Sequence, residues 1–509
     1  MTGTFPGTFD TRRLFLLLVS AQAALGLYQH SVFFEEMYQT PSRLGFLGAQ
    51  GAGSSLWVII AVILLSAAWS GRRGGSGGFA AFGLAHLAAL GLAHYGMGMI
   101  SGRLRPGVTG ALLLSSCAGA LAWRMSRRSA PAASSASPAL FSPGLDRWDT
   151  VSALFLLTLL IPTVFDYIHF DARDIWACRA FALEKAGSLG GVSDCRLPNY
   201  PPLFSILLWT GIGDPLFQGR LTAWLAMVLF ALFLRDRLGR ISPQATPSAL
   251  LFFVSTVHVW QGAATYYANV PLMIFLVAGS LLALDLPRRH GKARPEEIVS
   301  GTLCLSAATL IRQDSLYYLA VVAAVVVFFR LSGRLKLALA PLLIAAGIGL
   351  TWSLRPPAWK DPFDFFATPS GDWRTVSDTV MGSALRVACT FLNGWQGQWL
   401  SHKGFGSAFY LLAGIALWRL KKRPVPSPSI DILETAFFGF VSLAALVAVM
   451  ACYLAIPFTG DLVRGLRPYQ CDFLTCYLHL IRVGLGRMTV HLYPYFVLYG
   501  LSALAVEKA

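Results

Sequence analysis

Residues 316–329 read LYYLAVVAAVVVFF, residues 330–336 read RLSGRLK, and residues 337–352 read LALAPLLIAAGIGLTW. Two uncharged apolar runs flank a connection that carries Arg330, Arg334 and Lys336 and no acid. A helix crossing a hydrocarbon core of about 30 Å needs about 20 residues, and short connections rich in Lys and Arg stay on the cytoplasmic side. The segment therefore reads as two membrane helices joined on the inside.

The alternation continues in both directions. Apolar runs lie near 409–418, 436–455 and 490–505 on one side, and near 301–311, 270–284, 248–264, 221–234 and 151–165 on the other. Beyond them come 108–123, 79–98, 54–68 and 14–27, which makes about 14 spans. Arg12 and Arg13 precede the first run and no small-residue cleavage site follows it, so it is expected to remain as a helix rather than leave as a signal peptide. The short basic connections 235–240, 288–294, 330–336 and 419–423 set the N-terminus inside and leave 166–202, 353–404 and 457–488 outside. The sequence predicts an all-α polytopic membrane protein in a cytoplasmic membrane. Composition agrees: 55% of the 509 residues are hydrophobic and 13% charged, against about 25% charged in soluble domains. The net charge of +16 sits in the loops, where it orients the chain in a bilayer and does not call for a nucleic-acid partner.

Residues 129–143 are rich in Ala, Ser and Pro and lack an apolar stripe. They divide the chain into an N-terminal block of about four spans over 1–128, a cytoplasmic linker over 129–146, and a larger membrane domain over 147–509. In the N-terminal block only His86, His94 and the Glu35-Glu36 pair carry reactive chemistry, and a structural role is expected for each.

The external segments hold the chemistry. Asp166, Asp171 and Asp174 crowd the outer end of the 151–165 run, where carboxylates are costly; the alternative is that they solvate a helix end. Trp176, Ala180 and Leu183 recur at helical spacing, so 173–185 is expected to form a surface helix that ends at Gly187, Gly190 and Gly191. Tyr200-Pro201-Pro202 then leads into the apolar 203–208. Cys178 and Cys195 share this loop, and Cys471 and Cys476 share the last; each pair reads as a disulfide in an oxidising exterior or as free thiols.

This order, acid at a span's outer end, surface helix, glycine, Tyr-Pro-Pro-Leu and an apolar helix ending in Gly211-Ile212-Gly213, resembles the first external loop of GT-C glycosyltransferases. The similarity is to lipid A aminoarabinose transferases and protein O-mannosyltransferases. It continues through Arg220, Tyr266-Tyr267-Ala268-Asn269-Val270-Pro271, Ala307 to Asp314, and Arg487 to Pro494. Three departures stand out. An Asp-Glu-x-Arg stretch is replaced by Asp171-Ala172-Arg173-Asp174, a common acid by Asn269, and a Lys-Pro-Pro lysine by Tyr200, which points to a different donor sugar.

The resemblance implies a GT-C-type helix bundle with juxtamembrane helices in its external loops. It also implies inverting transfer of a sugar from a polyprenyl-phosphate carrier to a hydroxyl of a glycan, lipid or protein on the periplasmic or exterior face. Such transfer needs a carboxylate base and cations for the departing phosphate, but no nucleotide. The candidates are Asp171 as base with Asp174 beside it, Arg312, Arg487 and His491 for the phosphate, and Tyr200, Asn269 and Asp166 as lining. Arg312 could instead pair with Asp314, and Arg487 could anchor its helix at the headgroups. No cofactor or metal cage is legible, and metal-independent chemistry is expected. The rival functions are a transporter or flippase, and a polysaccharide polymerase or ligase.

Overall fold

The computed structural model describes residues 19–28, 60–67, 75–105, 107–128, 147–161, 172–195, 200–209, 215–265, 267–288, 295–312, 315–328, 335–356, 438–444 and 490–505. Among them every regular element is a helix and none is a strand. Besides helical stretches at 19–28, 60–67 and 438–444 and short 3-10 and π turns, they are in chain order α1 (Gly75–Ser101), α2 (Gly107–Arg128), α3 (Arg147–Thr158), α4 (Cys178–Ala186), α5 (Leu203–Trp209), α6 (Pro215–Ile241) and α7 (Thr246–Val254). Then come α8 (Val257–Ala264), α9 (Asn269–Arg288), α10 (Pro295–Ile311), α11 (Ser315–Phe328), α12 (Leu335–Thr351) and α13 (Tyr493–Ala505). Most coincide with the apolar runs; the run 409–418 lies outside the described residues.

One run is broken rather than continuous. The stretch 248–264 divides into α7 and α8 at Ser255-Thr256, where the Thr256 hydroxyl donates back to the Phe252 carbonyl at 2.9 Å. Such a bond competes with the helical ladder and bends the chain. The helix pair α8 and α9 then bends by 114°.

By length and composition one described helix, Gly77–Ser101 in α1, can cross a bilayer unaided, and Gly107–Gly119, Ser315–Val327 and Leu339–Leu354 are shorter apolar helices. α1 is central. A Cβ on Gly83 would meet Leu229 at 2.7 Å, one on Gly91 would meet Leu203 at 2.9 Å, and one on Gly98 would meet Leu189 at 2.6 Å. These glycines recur every seven or eight residues on one helical face, so their missing side chains let α6, α5 and the segment that carries Leu189 press against the α1 backbone. α9 and α10 approach in the same way, since a Cβ on Gly279 would meet Leu305 at 2.7 Å. A single apolar core extends from Val19 to Leu498 and takes in Leu84, Leu87 and Ala88 of α1. α1, although it precedes the linker, is therefore packed into the same core as the helices beyond it.

Candidate functional site

Tyr200, Asn269, Arg312 and His491 come together from four segments far apart in sequence. Asn269 opens α9 and Arg312 follows the last residue of α10. These two helices pack closely, joined by the short 289–294 connection, so the start of one lies beside the end of the other. Arg312 Nη1 donates to Asn269 Oδ1 at 2.5 Å, and its guanidinium lies 5.6 Å from the centre of the Tyr200 ring. The Asn269 carbonyl accepts from His491 Nδ1 at 3.1 Å, and Tyr318 meets the His491 ring edge-on at 5.4 Å. Ser315 Oγ donates to the Arg312 carbonyl at 2.5 Å and braces the break between α10 and α11.

Asn269 therefore orients both basic groups. An amide oxygen holds a guanidinium without cancelling its charge, as a carboxylate would. Because His491 Nδ1 donates to a carbonyl, the ring serves an anion through Nε2 only when doubly protonated.

A second set of groups lies on the other side of Tyr200's contacts. Arg179, the second residue of α4, has 0% exposure. Its Nη2 donates to the Tyr200 carbonyl at 2.5 Å and its guanidinium lies 5.7 Å from the Trp176 ring centre. Trp176 stacks on Tyr200 at 5.8 Å and 14° and meets Phe204 edge-on. Nε and Nη1 of Arg179 make no hydrogen bond. Burial, and then the nearby Arg355 charge, push the Arg179 guanidinium down to about 9, with Tyr200 acting the other way. No carboxylate contributes to that balance. A desolvated cation costs several kcal/mol, which one carbonyl and one ring offset only in part.

Arg355 is itself buried. It donates from Nη1 to the Trp352 carbonyl at 3.0 Å and sits 5.0 Å from the centre of that indole. Trp352 in turn packs on Tyr95, whose hydroxyl pairs with Thr351 at 2.8 Å.

The 172–195 segment is ordered by its own chemistry. A π-helical turn, Ala172–Ala177, leads into α4, and Gly187 closes that helix at φ 59°, where a side chain would be strained; its N–H donates to the Leu183 carbonyl. Cys178 and Cys195 form a disulfide, which settles that pair; Cys471 and Cys476 lie outside the described residues. The Trp176, Ala180 and Leu183 stripe is buried in the protein core, so the helix expected to rest on a membrane surface instead packs on the protein.

Asp166, Asp171 and Arg487 lie outside the described residues, and Asp174 is described by its backbone alone, on the π-helical turn. His86 and His94 take structural partners: His86 meets the Phe82 carbonyl and Ser116, and His94 meets Thr109. Arg179 and Arg355 escaped the sequence reading. Arg179 had a signal: it falls three residues after Trp176, on the same helical face as the apolar stripe. Arg355 had none, being one more cation after a span. Among the described residues no group of three or more His, Cys, Asp or Glu is placed to hold a metal ion.

The chain matches no family model, no curated protein and no solved structure.

Proposed function

We propose that the protein is a polytopic glycosyltransferase of the GT-C type, with about 14 spans in a cytoplasmic membrane. It moves a sugar from a polyprenyl-phosphate carrier to a glycan, lipid or protein hydroxyl on the outer face. The observation that carries this reading is the convergence of Arg312, Asn269, His491 and Tyr200 at one end of the apolar helices. That end is the one the basic connections place outside. Large apolar side chains exposed on the helices, among them Leu114, Leu154, Leu343 and Ile344, suit a lipid environment.

In the reaction the acceptor oxygen attacks the anomeric carbon while its proton passes to the Asp171 carboxylate. The bond from that carbon to the phosphate oxygen breaks, the electron pair stays on the phosphate, and the configuration inverts. Arg312 stabilises the charge that develops on the leaving phosphate, and Asn269 keeps its guanidinium aimed.

The experiment is transfer by purified protein from a labelled polyprenyl-phosphate sugar, with Asp171→Asn beside it. The expected result is a new glycosidic bond, and a rate about 100-fold lower or less in the variant. Full activity in a well-made Asp171→Asn protein removes that residue as the base. One observation favours a second reading: the bent pair α8 and α9 is a broken helix whose second half starts at the site, as in transporters. Movement of the lipid across a vesicle with no new glycosidic bond would establish that reading instead.

A further inference from the structure

The two ends of α4 are held by different means. Its last turn is tied by the fold itself: the Leu104 N–H donates to the Gly187 carbonyl at 2.7 Å, and Gly191 lies so close to the Ala182 carbonyl that a Cβ has no room there. Its first turn has less to hold it. That turn follows the π-helical segment Ala172–Ala177, a rare form, and Ala177 offers no capping side chain. It also carries Arg179, fully buried with Nε and Nη1 unbonded. A desolvated cation held by one carbonyl and one indole face favours any rearrangement that lets water reach it. Two things oppose that release. One is the apolar burial of Trp176 and Ala180. The other is covalent: Cys178, the residue before Arg179, is bonded to Cys195, which pins the start of the helix to the end of the 3-10 turn Leu189–Asp194.

We infer that the Cys178–Cys195 disulfide is a redox latch: oxidised, it holds Arg179 against the Tyr200 carbonyl, and reduced, it lets the first turn of α4 open and Tyr200 leave Arg312. Cys178 is half-buried and Cys195 is 7% exposed, so a thiolate reaches the bond at the Cys178 sulfur. The reductant is a dithiol, either a small molecule or a protein of the thioredoxin type. Its first thiolate attacks Cys178 Sγ, the Sγ–Sγ bond breaks, and Cys195 leaves as a thiolate that takes up a proton. The second thiolate of the reductant then attacks the reductant sulfur of the mixed disulfide and releases Cys178. Two electrons have passed from the dithiol, which becomes a disulfide, to the cystine. With the bond open, the Arg179 side chain moves to water. Tyr200 then loses the guanidinium that holds its carbonyl and the indole on which its ring stacks. That same ring lies 5.6 Å from the Arg312 guanidinium, so the state of one covalent bond sets whether the Arg312 group is complete. The inference goes beyond the transferase reading and does not rest on it.

The test needs no sugar donor or acceptor. Amide hydrogen exchange is followed in full-length protein in phosphatidylcholine nanodiscs, oxidised and after dithiothreitol. Reduction is expected to speed exchange at residues 178–183 by at least about tenfold and to leave α9 unchanged. Arg179→Met removes the buried charge that drives the opening, and in that variant reduction is expected to speed the same amides by less than about twofold. Should Arg179→Met fail to fold, Arg179→Gln takes its place with the same expectation. A protein carrying both Cys178→Ser and Cys195→Ser is expected to exchange like the reduced protein and to ignore dithiothreitol. Equal acceleration in the folded Arg179 variants overturns the inference, because a plain cross-link loses the same restraint whatever stands at 179. So does the absence of acceleration, or acceleration that extends to α9 and makes the bond a staple of the whole fold. Opening on reduction in a protein that performs no transfer in either state keeps the latch and sinks the transferase reading. Transfer at an unaltered rate by a reduced protein that does not open does the reverse.

Discussion

The two ends of the helix bundle handle their arginines in opposite ways. At the end that the basic connections place inside, Arg235 near the close of α6 donates from Nε to Asp149 Oδ1 at 3.0 Å and from Nη2 to Oδ2 at 2.7 Å. Asp149 sits in the first turn of α3, where the helix dipole favours an anion. The pair stitches the two helices, and the hydrogen bonds from Arg235 to Asp149 raise the basicity of the guanidinium. Arg240 meets Asp236 one turn away. At the other end Arg179 rests on the Tyr200 carbonyl and the Trp176 face instead. A carboxylate neutralises a cation and makes it a fastener. A carbonyl, an amide or a ring orients the cation and leaves its charge for something that arrives later.

Four measurements break or sharpen that contrast. The largest effect is expected from Arg312→Ala, which should lower the transfer rate about 100-fold while the protein still folds, as loss of a transition-state donor does; an unaltered rate would make the outer arginines as structural as the inner ones. Arg235→Ala comes next. It leaves Asp149, whose side chain is 4% exposed, without its cation, and thermal or denaturant unfolding should show a loss of about 2 to 4 kcal/mol, the lower end reflecting the partial exposure of Arg235. Cys178→Ser should cost about 2 to 3 kcal/mol, the value for opening a loop of this length, and reducing agent should reproduce the loss in the unaltered protein. The smallest change belongs to Arg179→Met. Exchanging a desolvated cation for an apolar side chain of similar length should leave stability within about 1 kcal/mol or raise it, and a loss above about 3 kcal/mol would place Arg179 with the fasteners.

Much of this was legible in the residues. Runs without charge can be little other than buried or lipid-facing helices, and the boundaries of α9, α11 and α12 fall close to those runs, whereas α6 extends beyond its run at both ends and α10 begins before its own. Gly187 as the stop of the loop helix could be read because few other residues accept its backbone angle. Tyr200, Asn269, Arg312 and His491 could each be singled out as polar or aromatic groups at the ends of apolar runs. Their mutual contacts could not, because each pair is joined by packing between helices and not by local spacing. The break at Ser255-Thr256 was also hidden, since both residues are common inside helices and only the backward hydrogen bond shows which way they act.

The sequence by itself determined the helical class, the apolar character of the runs and the sign of the connections between them, because hydrophobicity and charge are additive along a chain. Tertiary structure alone decided which cations are neutralised. Whether an arginine meets an aspartate or a carbonyl depends on which helix end is brought beside it, and for Arg179 that was settled by the turn at Cys178, the disulfide and the face of Trp176. The same dependence put α1 in the core, since its glycines become contact sites only when Leu229, Leu203 and Leu189 arrive against them.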